Sequence, residues 1–173
     1  MKGLRSIPKI LKINQINGYH ISCLFNNGES RIIDFKVFLE KYSKNKKHPA
    51  YKLLMDKSAF NKIGIIGNTI GWKNIGIYSK NLNGKNEFYP YDIDPITLFE
   101  CSYIDEDRRL NVGDLIRKER KKAGLTQDEL ASRSGTSKYY ISRVENNKSD
   151  IELLTLKKII EAGLGKHLKI QIS

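Results

Sequence analysis

Apolar and polar positions alternate through the first hundred residues and then switch to a helical period, so two kinds of structure follow one another along the chain. Residues 7–13 alternate, and Asn17-Gly18 follows as a pair that tolerates a positive φ. Tyr19, Ile21, Cys23 and Phe25 share one face of a second strand, Asn27-Gly28 turns the chain, and residues 31–34 begin a return. That pattern predicts a three-strand meander. Phe35, Phe38, Leu39 and Tyr42 recur at helical spacing and predict a helix packed on the sheet. A Lys/Asn-rich segment and Pro49 lead to a short helical stretch over 51–55. Residues 60–66 and 69–72, on either side of Gly67-Asn68, predict a second hairpin. Residues 73–86 are rich in Asn, Gly and Lys and predict an exposed arm with Asn83-Gly84 at its tip. Asp94-Pro95 predicts a short helix: Asp94 is the N-cap, Pro95 takes the first helical position, and Ile96, Leu98 and Phe99 turn to the core.

The pattern changes after Ser102. Residues 104–111 are charged and short of core positions, which suits a linker, and 112–165 keep a helical period throughout. The expected architecture is therefore an α+β N-terminal domain over residues 1–103, a linker over 104–112, and an all-α helix-turn-helix bundle over 113–173. The first helix, 113–123, turns Leu115 and Ile116 inward and stops at Gly124. Thr126-Gln127-Asp128-Glu129 is a capping box that opens a second helix burying Leu130 and Ala131. Gly135 supplies the left-handed residue of a Ser-Gly-Thr turn, and Ser137 caps a third helix, 138–146. Ile141 and Val144 face inward there, while Lys138, Tyr139, Ser142 and Arg143 face out. Leu153, Leu156, Ile159 and Ile160 form the core of a fourth helix. Leu168, Ile170 and Ile172 then alternate with polar residues, which predicts a short C-terminal strand. A lone strand leaving a helical bundle needs a backbone partner. A second copy across a two-fold axis supplies one economically, and the N-terminal sheet of the same chain is the alternative.

Charge sharpens this picture. The 173 residues hold 31 Lys and Arg against 19 Asp and Glu, a net +12, within an ordinary globular composition of 39% hydrophobic and 29% charged residues. Such an excess favours a polyanionic partner, because phosphates reward clustered cations with counterion release. It does not choose between DNA, RNA, an acidic protein and an anionic membrane. No apolar stretch approaches the roughly 20 residues that span a bilayer, and Lys2, Arg5, Lys9 and Lys12 interrupt any leader-like segment. Cys23 and Cys101 form neither a CxxC pair nor a disulfide framework, which leads us to expect a reducing, cytoplasmic setting. His20, His48 and His167 lack metal-ligand spacing, and no nucleophile elbow, phosphate loop or paired-carboxylate motif occurs. Neither a metal, a cofactor nor an enzymatic activity is expected.

Ile116-Arg117, Gly124-Leu125-Thr126-Gln127, Glu129-Leu130-Ala131, Gly135 and the run from Ile141 to Asn146 together resemble the Cro and phage-repressor (XRE) type of helix-turn-helix. Caps, turn glycine and core positions agree at once over the C-terminal third. One departure is Glu119, where the family usually carries an apolar residue. The resemblance implies that Gln127 meets a phosphate and that Lys138, Tyr139 and Arg143 face base edges in the major groove of double-stranded DNA. The chemistry agrees, since an arginine can donate two hydrogen bonds to one guanine. Ser137 and Ser142 suit backbone contacts, Asn147 and Lys148 the next phosphate, and Tyr140 divides between DNA contact and packing. The resemblance also implies an ion pair between Arg120 and Glu145. Similar tails help build the dimer in XRE-type antitoxins. Most of residues 8–102 resemble a small α+β family of unknown function found beside helix-turn-helix and antitoxin proteins. This likeness rests on the Gly18–Phe25 strand, Phe60, Thr69-Ile70-Gly71-Trp72 and Asp94-Pro95 before Leu98.

The expected function is a transcriptional regulator, a repressor that reads a palindromic operator as a homodimer. The alternative is an antitoxin that binds a toxin through its N-terminal domain or tail and represses its own operon. An RNA-binding protein stands third, because the aromatic residues of the N-terminal sheet look buried rather than laid out for stacking.

Overall fold

Turns at positive-φ glycines, Gly18 and Gly28, fold the start of the chain into the meander. In the computed structural model, which describes residues 7–171, β1 (Ile10–Asn17), β2 (His20–Phe25) and β3 (Ser30–Asp34) pair antiparallel in sequence order. The first strand thus begins later than its alternation suggests and runs to Asn17, with register shifts that bend it over the core. Ile21, Cys23 and Phe25 are fully buried on one face of β2, and burial pushes the Cys23 thiol up to about 12. Asp34 ends β3 and caps α1 (Phe35–Tyr42), accepting hydrogen bonds from the Lys36 and Val37 amides. His48 caps α2 (Pro49–Met55) and Asp56 caps α3 (Lys57–Phe60).

The second sheet differs from the sequence pattern. Phe60 ends a helix rather than opening a strand, and β4 is only Gly64–Ile66. β5 runs from Thr69 to Lys80 and pairs with β6 (Asn86–Asp92), so most of the expected exposed arm is a two-stranded ribbon. Its tip is the turn containing Gly84. Trp72 is fully buried between Phe35 and Phe60, with ring centroids 5.7 Å away in each case, and donates Nε1–H to the Phe60 carbonyl at 2.8 Å. Asp94 caps α4 (Pro95–Glu100) through the Thr97 amide, and Leu98 is buried, whereas Ile96 is exposed.

The chain divides into two compact units between Arg109 and Leu110. The charged segment after Ser102 starts inside the first of them. β7 (Tyr103–Ile104) pairs with β3 to give the order β1-β2-β3-β7, and the buried Asp105 accepts a hydrogen bond from Ser22. A single 3-10 turn, Glu106–Arg108, follows.

The second unit is helical: α5 (Val112–Lys122), α6 (Gln127–Ser134), α7 (Lys138–Glu145) and α8 (Leu153–Lys158), which widens into a π-helical turn over Ile159–Gly163. Ile116, Leu130, Ile141 and Ile159 are fully buried at its centre. Leu115 and Leu153 are 53% and 57% exposed, contrary to the inward positions their helical period suggests. Adjacent apolar residues sit about 100° apart on a helix, so Ile116 takes the core position and Leu115 is turned away from it. Residues 166–171 have no regular secondary structure, and Ile172 lies outside the described residues. A strand needs a ladder partner, and among the described residues this segment has none. Leu168 packs instead on the helical core, while Ile170 is 60% exposed.

Candidate nucleic-acid interface

Three helices in the second unit end in the same way. Leu125 donates to the Arg120 carbonyl, Thr136 to Ala131 and Lys148 to Arg143, across the left-handed residues Gly124, Gly135 and Asn147. This six-to-one closure satisfies carbonyls that a helix end would otherwise leave bare. At Gly135 (φ 64°) it turns the chain sharply from α6 into α7. The capping box is complete: Glu129 donates its amide to the Thr126 hydroxyl, and its carboxylate accepts from the Thr126 amide at 2.7 Å. Ser137 caps α7 by accepting from the Tyr140 amide at 3.1 Å, which leaves its own proton as a donor.

The inner face of α7 is fixed by packing and by charge. Ile141 and Val144 are buried in the helical core. Glu145 is fully buried and accepts from Arg120 through both oxygens, at 2.5 and 2.8 Å, so the structure brings these two residues together as a bidentate pair between α5 and α7. Arg120 also donates to the Leu125 carbonyl at 2.8 Å. Arg117, for which the sequence pattern predicts no role, donates to the Glu145 carbonyl and to Asn146 Oδ1. Its place three residues before Arg120, on the same side of α5, was the available signal. Burial alone raises a carboxyl. Here the hydrogen bonds from Arg120 and Gln127, with the charges of Arg120 and Arg117, outweigh it and hold Glu145 below the ordinary carboxylate range. Close approach is needed where α5 starts: a Cβ on Gly113 would fall 2.2 Å from the Val144 carbonyl oxygen.

The outer face of α7 carries the remaining candidates. Tyr139 is 72% exposed, with the Arg143 guanidinium 5.7 Å from its ring centre. Arg143 donates to the Tyr139 hydroxyl, to Ser149 Oγ and, at 2.6 Å, to the Lys148 carbonyl. Lys138 reaches back 2.8 Å to Asp128 at the start of α6, an exposed pair of the kind that contributes little and exchanges readily. Ser142 is half-buried beside Arg143, and Asn147 and Lys148 stand exposed just past the helix end. Tyr140 is half-buried and packs on the helical core, where desolvation raises its hydroxyl. Gln127 is placed elsewhere than on an open surface: its Nε2 donates to Glu145 at 2.8 Å. The unusual Glu119 is explained by its neighbours. It pairs with Lys122 at 2.7 Å and with Lys166 at 2.6 Å, so a charge replaces an apolar contact in holding the C-terminal segment to α5. These two hydrogen bonds lower it to about 2.

Among the described residues, no group of three or more His, Cys, Asp or Glu side chains could hold a metal ion, and no helix is long and apolar enough to cross a membrane. Residues 116–163 match the model of a helix-turn-helix family. The chain is 33% identical, over 64 residues, to the uncharacterized HTH-type transcriptional regulator y4dJ of Sinorhizobium fredii, a match covering 37% of this chain and 83% of that protein. Among solved structures it is similar to a restriction-modification controller protein, at 34% identity over 32% of this chain and 72% of that one, with a TM-score of 0.31. It also aligns with a proposed DNA-binding protein of Nitrosomonas europaea, at 14% identity over 88% of this chain and 84% of that one, with a TM-score of 0.35. Through its C-terminal unit the chain belongs to the XRE-type helix-turn-helix family of DNA-binding transcriptional regulators.

Proposed function

We propose that the protein is a cytoplasmic transcriptional repressor that reads a palindromic operator as a homodimer, inserting α7 of each copy into successive major grooves. The observation that carries this reading is the division of α7 into two faces. One is locked by Ile141, Val144 and Glu145, and the other presents Tyr139 and Arg143 beside Lys138. Arg143 uses three of its five N–H groups within the chain, which leaves one on each terminal nitrogen. A guanine accepts two such donors at O6 and N7. Ser137, Ser142, Asn147 and Lys148 flank that face and are suited to the phosphates on either side.

Selection of bound sequences from a random duplex pool tests the reading. The expected product is a palindrome whose half-sites lie about 34 Å apart, one helical turn. An unrepeated site would overturn the dimeric part. The tail supports a dimer through Ile170, which is exposed, rather than through Leu168, which the helical core occupies. Ile170→Asp is expected to leave a folded monomer whose affinity for the full palindrome falls to that for one half-site. Sedimentation and DNA titration check both. An unchanged dimer would move the interface elsewhere.

A further inference from the structure

The second unit accounts for less of the positive charge than the first. Residues 110–173 hold 13 Lys and Arg against 8 Asp and Glu, whereas residues 1–109 hold 18 against 11. A DNA-reading helix therefore explains only part of the net +12. The larger share sits on the α+β unit, and some of it lines a groove there.

Two adjoining cavities, about 300 and about 390 Å³, share His48, Pro49 and Gly76 and together run between the start of α2 and the β5–β6 ribbon. Lys46, Lys47 and Lys52 line one side of the larger cavity. Tyr78 and Phe88, cross-strand partners on one face of the ribbon, line the other, with ring centroids 5.3 Å apart. Tyr78 is 76% exposed. Tyr89, 42% exposed, and Tyr91 line the smaller cavity, with Asp92 at its edge. Gly76 keeps the junction open and cannot be replaced without movement: a Cβ there would fall 2.0 Å from the Tyr89 carbonyl oxygen and 2.8 Å from the Phe88 ring. The sequence pattern set RNA binding aside because the aromatics looked buried. Tyr78 and Tyr89 on this ribbon are not.

We propose that this groove binds single-stranded nucleic acid, with bases stacking on the Tyr78 and Phe88 face of the ribbon and phosphates meeting Lys46, Lys47 and Lys52. An exposed aromatic pair lining one cavity with three lysines fits that ligand better than duplex, whose bases already stack on one another and offer no free faces. Lysines alone would fit any polyanion, so the aromatic side makes the choice. The site lies in the α+β unit and is independent of the operator-reading helix.

The test uses the full chain with fluorescent oligo-U, oligo-dT and a duplex of equal length. Both single strands are expected to bind more tightly than a non-operator duplex, and the ratio of U to dT shows whether ribose is preferred. Tyr78→Ala, on a residue exposed enough to leave folding intact, should weaken single-strand binding about tenfold. Lys46→Gln with Lys47→Gln should weaken it and lower its salt slope by roughly one to two. Operator binding should not change in either variant, and Arg143→Ala should leave single-strand binding alone. Equal loss of duplex and single-strand binding would overturn the proposal by showing a plain cationic patch. Unchanged single-strand affinity in Tyr78→Ala, or a change only in the sedimentation of the chain, would overturn it in favour of a ribbon that contacts protein.

Discussion

The two units are held together by different chemistry. The core of the first sets aromatic rings among aliphatic side chains: Phe25, Phe35, Phe60 and Trp72 are fully buried, and three of those rings meet edge-on or tilted around one centre. The core of the second is a small set of aliphatic side chains with an arginine and a carboxylate inside it. Aromatic burial stabilises by area and by contact and tolerates small changes of angle. A bidentate ion pair away from water stabilises only in one geometry, and either partner alone is costly. The DNA-binding unit is thus the one that places charge inside.

The largest expected effects test that contrast from both sides. Phe35→Ala removes a ring that touches Phe60 and Trp72, and we expect a loss of about 3–5 kcal/mol confined to the first unit. Trp72 is the single tryptophan, so its emission reports this unit alone, and its unfolding midpoint should fall while the helical signal of the second unit stays. Glu145→Ala should cost a similar 3–5 kcal/mol in the other unit, because it leaves Arg120 buried without its partner. Combining it with Arg120→Met should recover much of that loss. A cycle with no coupling between the two would remove the distinction drawn above.

DNA recognition should show smaller, position-dependent effects. Arg143→Ala is expected to cost about 1–3 kcal/mol at one base of each half-site and to flatten preference there, as read from a panel of operator variants. A profile parallel to wild type would remove Arg143 from base reading. Gln127→Ala should weaken all sequences alike. The structure adds a second consequence: the lost hydrogen bond to the Glu145 carboxylate should lower the stability of the helical unit by about 1.5–3 kcal/mol. If stability is unaffected, Gln127 faces the phosphate even in the free chain.

Local signals were the legible ones. Thr126, Glu129, Gly135 and Ser137 mark caps and turns by their own chemistry, and the structure puts each where that chemistry acts. The buried alternation of Ile21, Cys23 and Phe25 was equally plain. What failed depended on distant partners. β5 continues through Ser79 and Lys80, which carry no apolar alternation, because β6 pairs with them from across the ribbon through Glu87 and Asn86. Asp105 looked like linker, yet Ser22, far away in sequence, takes it into the first unit. Leu153 and Leu168 fit an amphipathic period and an alternating strand respectively. Only the packing of the other helices decides that Leu168 is covered and Leu153 is not. The bond from Gln127 to Glu145 likewise spans two helices and was not legible in the sequence; it leaves the phosphate contact that the family resemblance implies for Gln127 as an expectation.

The smallest expected effect separates the units by pH. Glu145 and Glu119 both titrate below an ordinary glutamate, the first through Arg120 and Gln127 despite its burial, the second through Lys122 and Lys166. A carboxyl lowered by folding adds stability that is complete above its ordinary value, near 4.5, and is lost as the pH falls through the folded value. For Glu119 that window runs from about 4.5 down to about 2. Acid should therefore loosen the helical unit first, since a bidentate ionised pair stands among its core side chains. Far-ultraviolet circular dichroism should begin to fall at a higher pH than Trp72 emission shifts. Glu119→Gln should remove the lower part of that dependence and release the segment that Lys166 anchors, so sites around Leu168 should exchange amide hydrogens faster at neutral pH. Coincident acid transitions in both signals would show that the buried pair does not set the acid limit of the second unit, and the contrast between the two cores would then be one of composition alone.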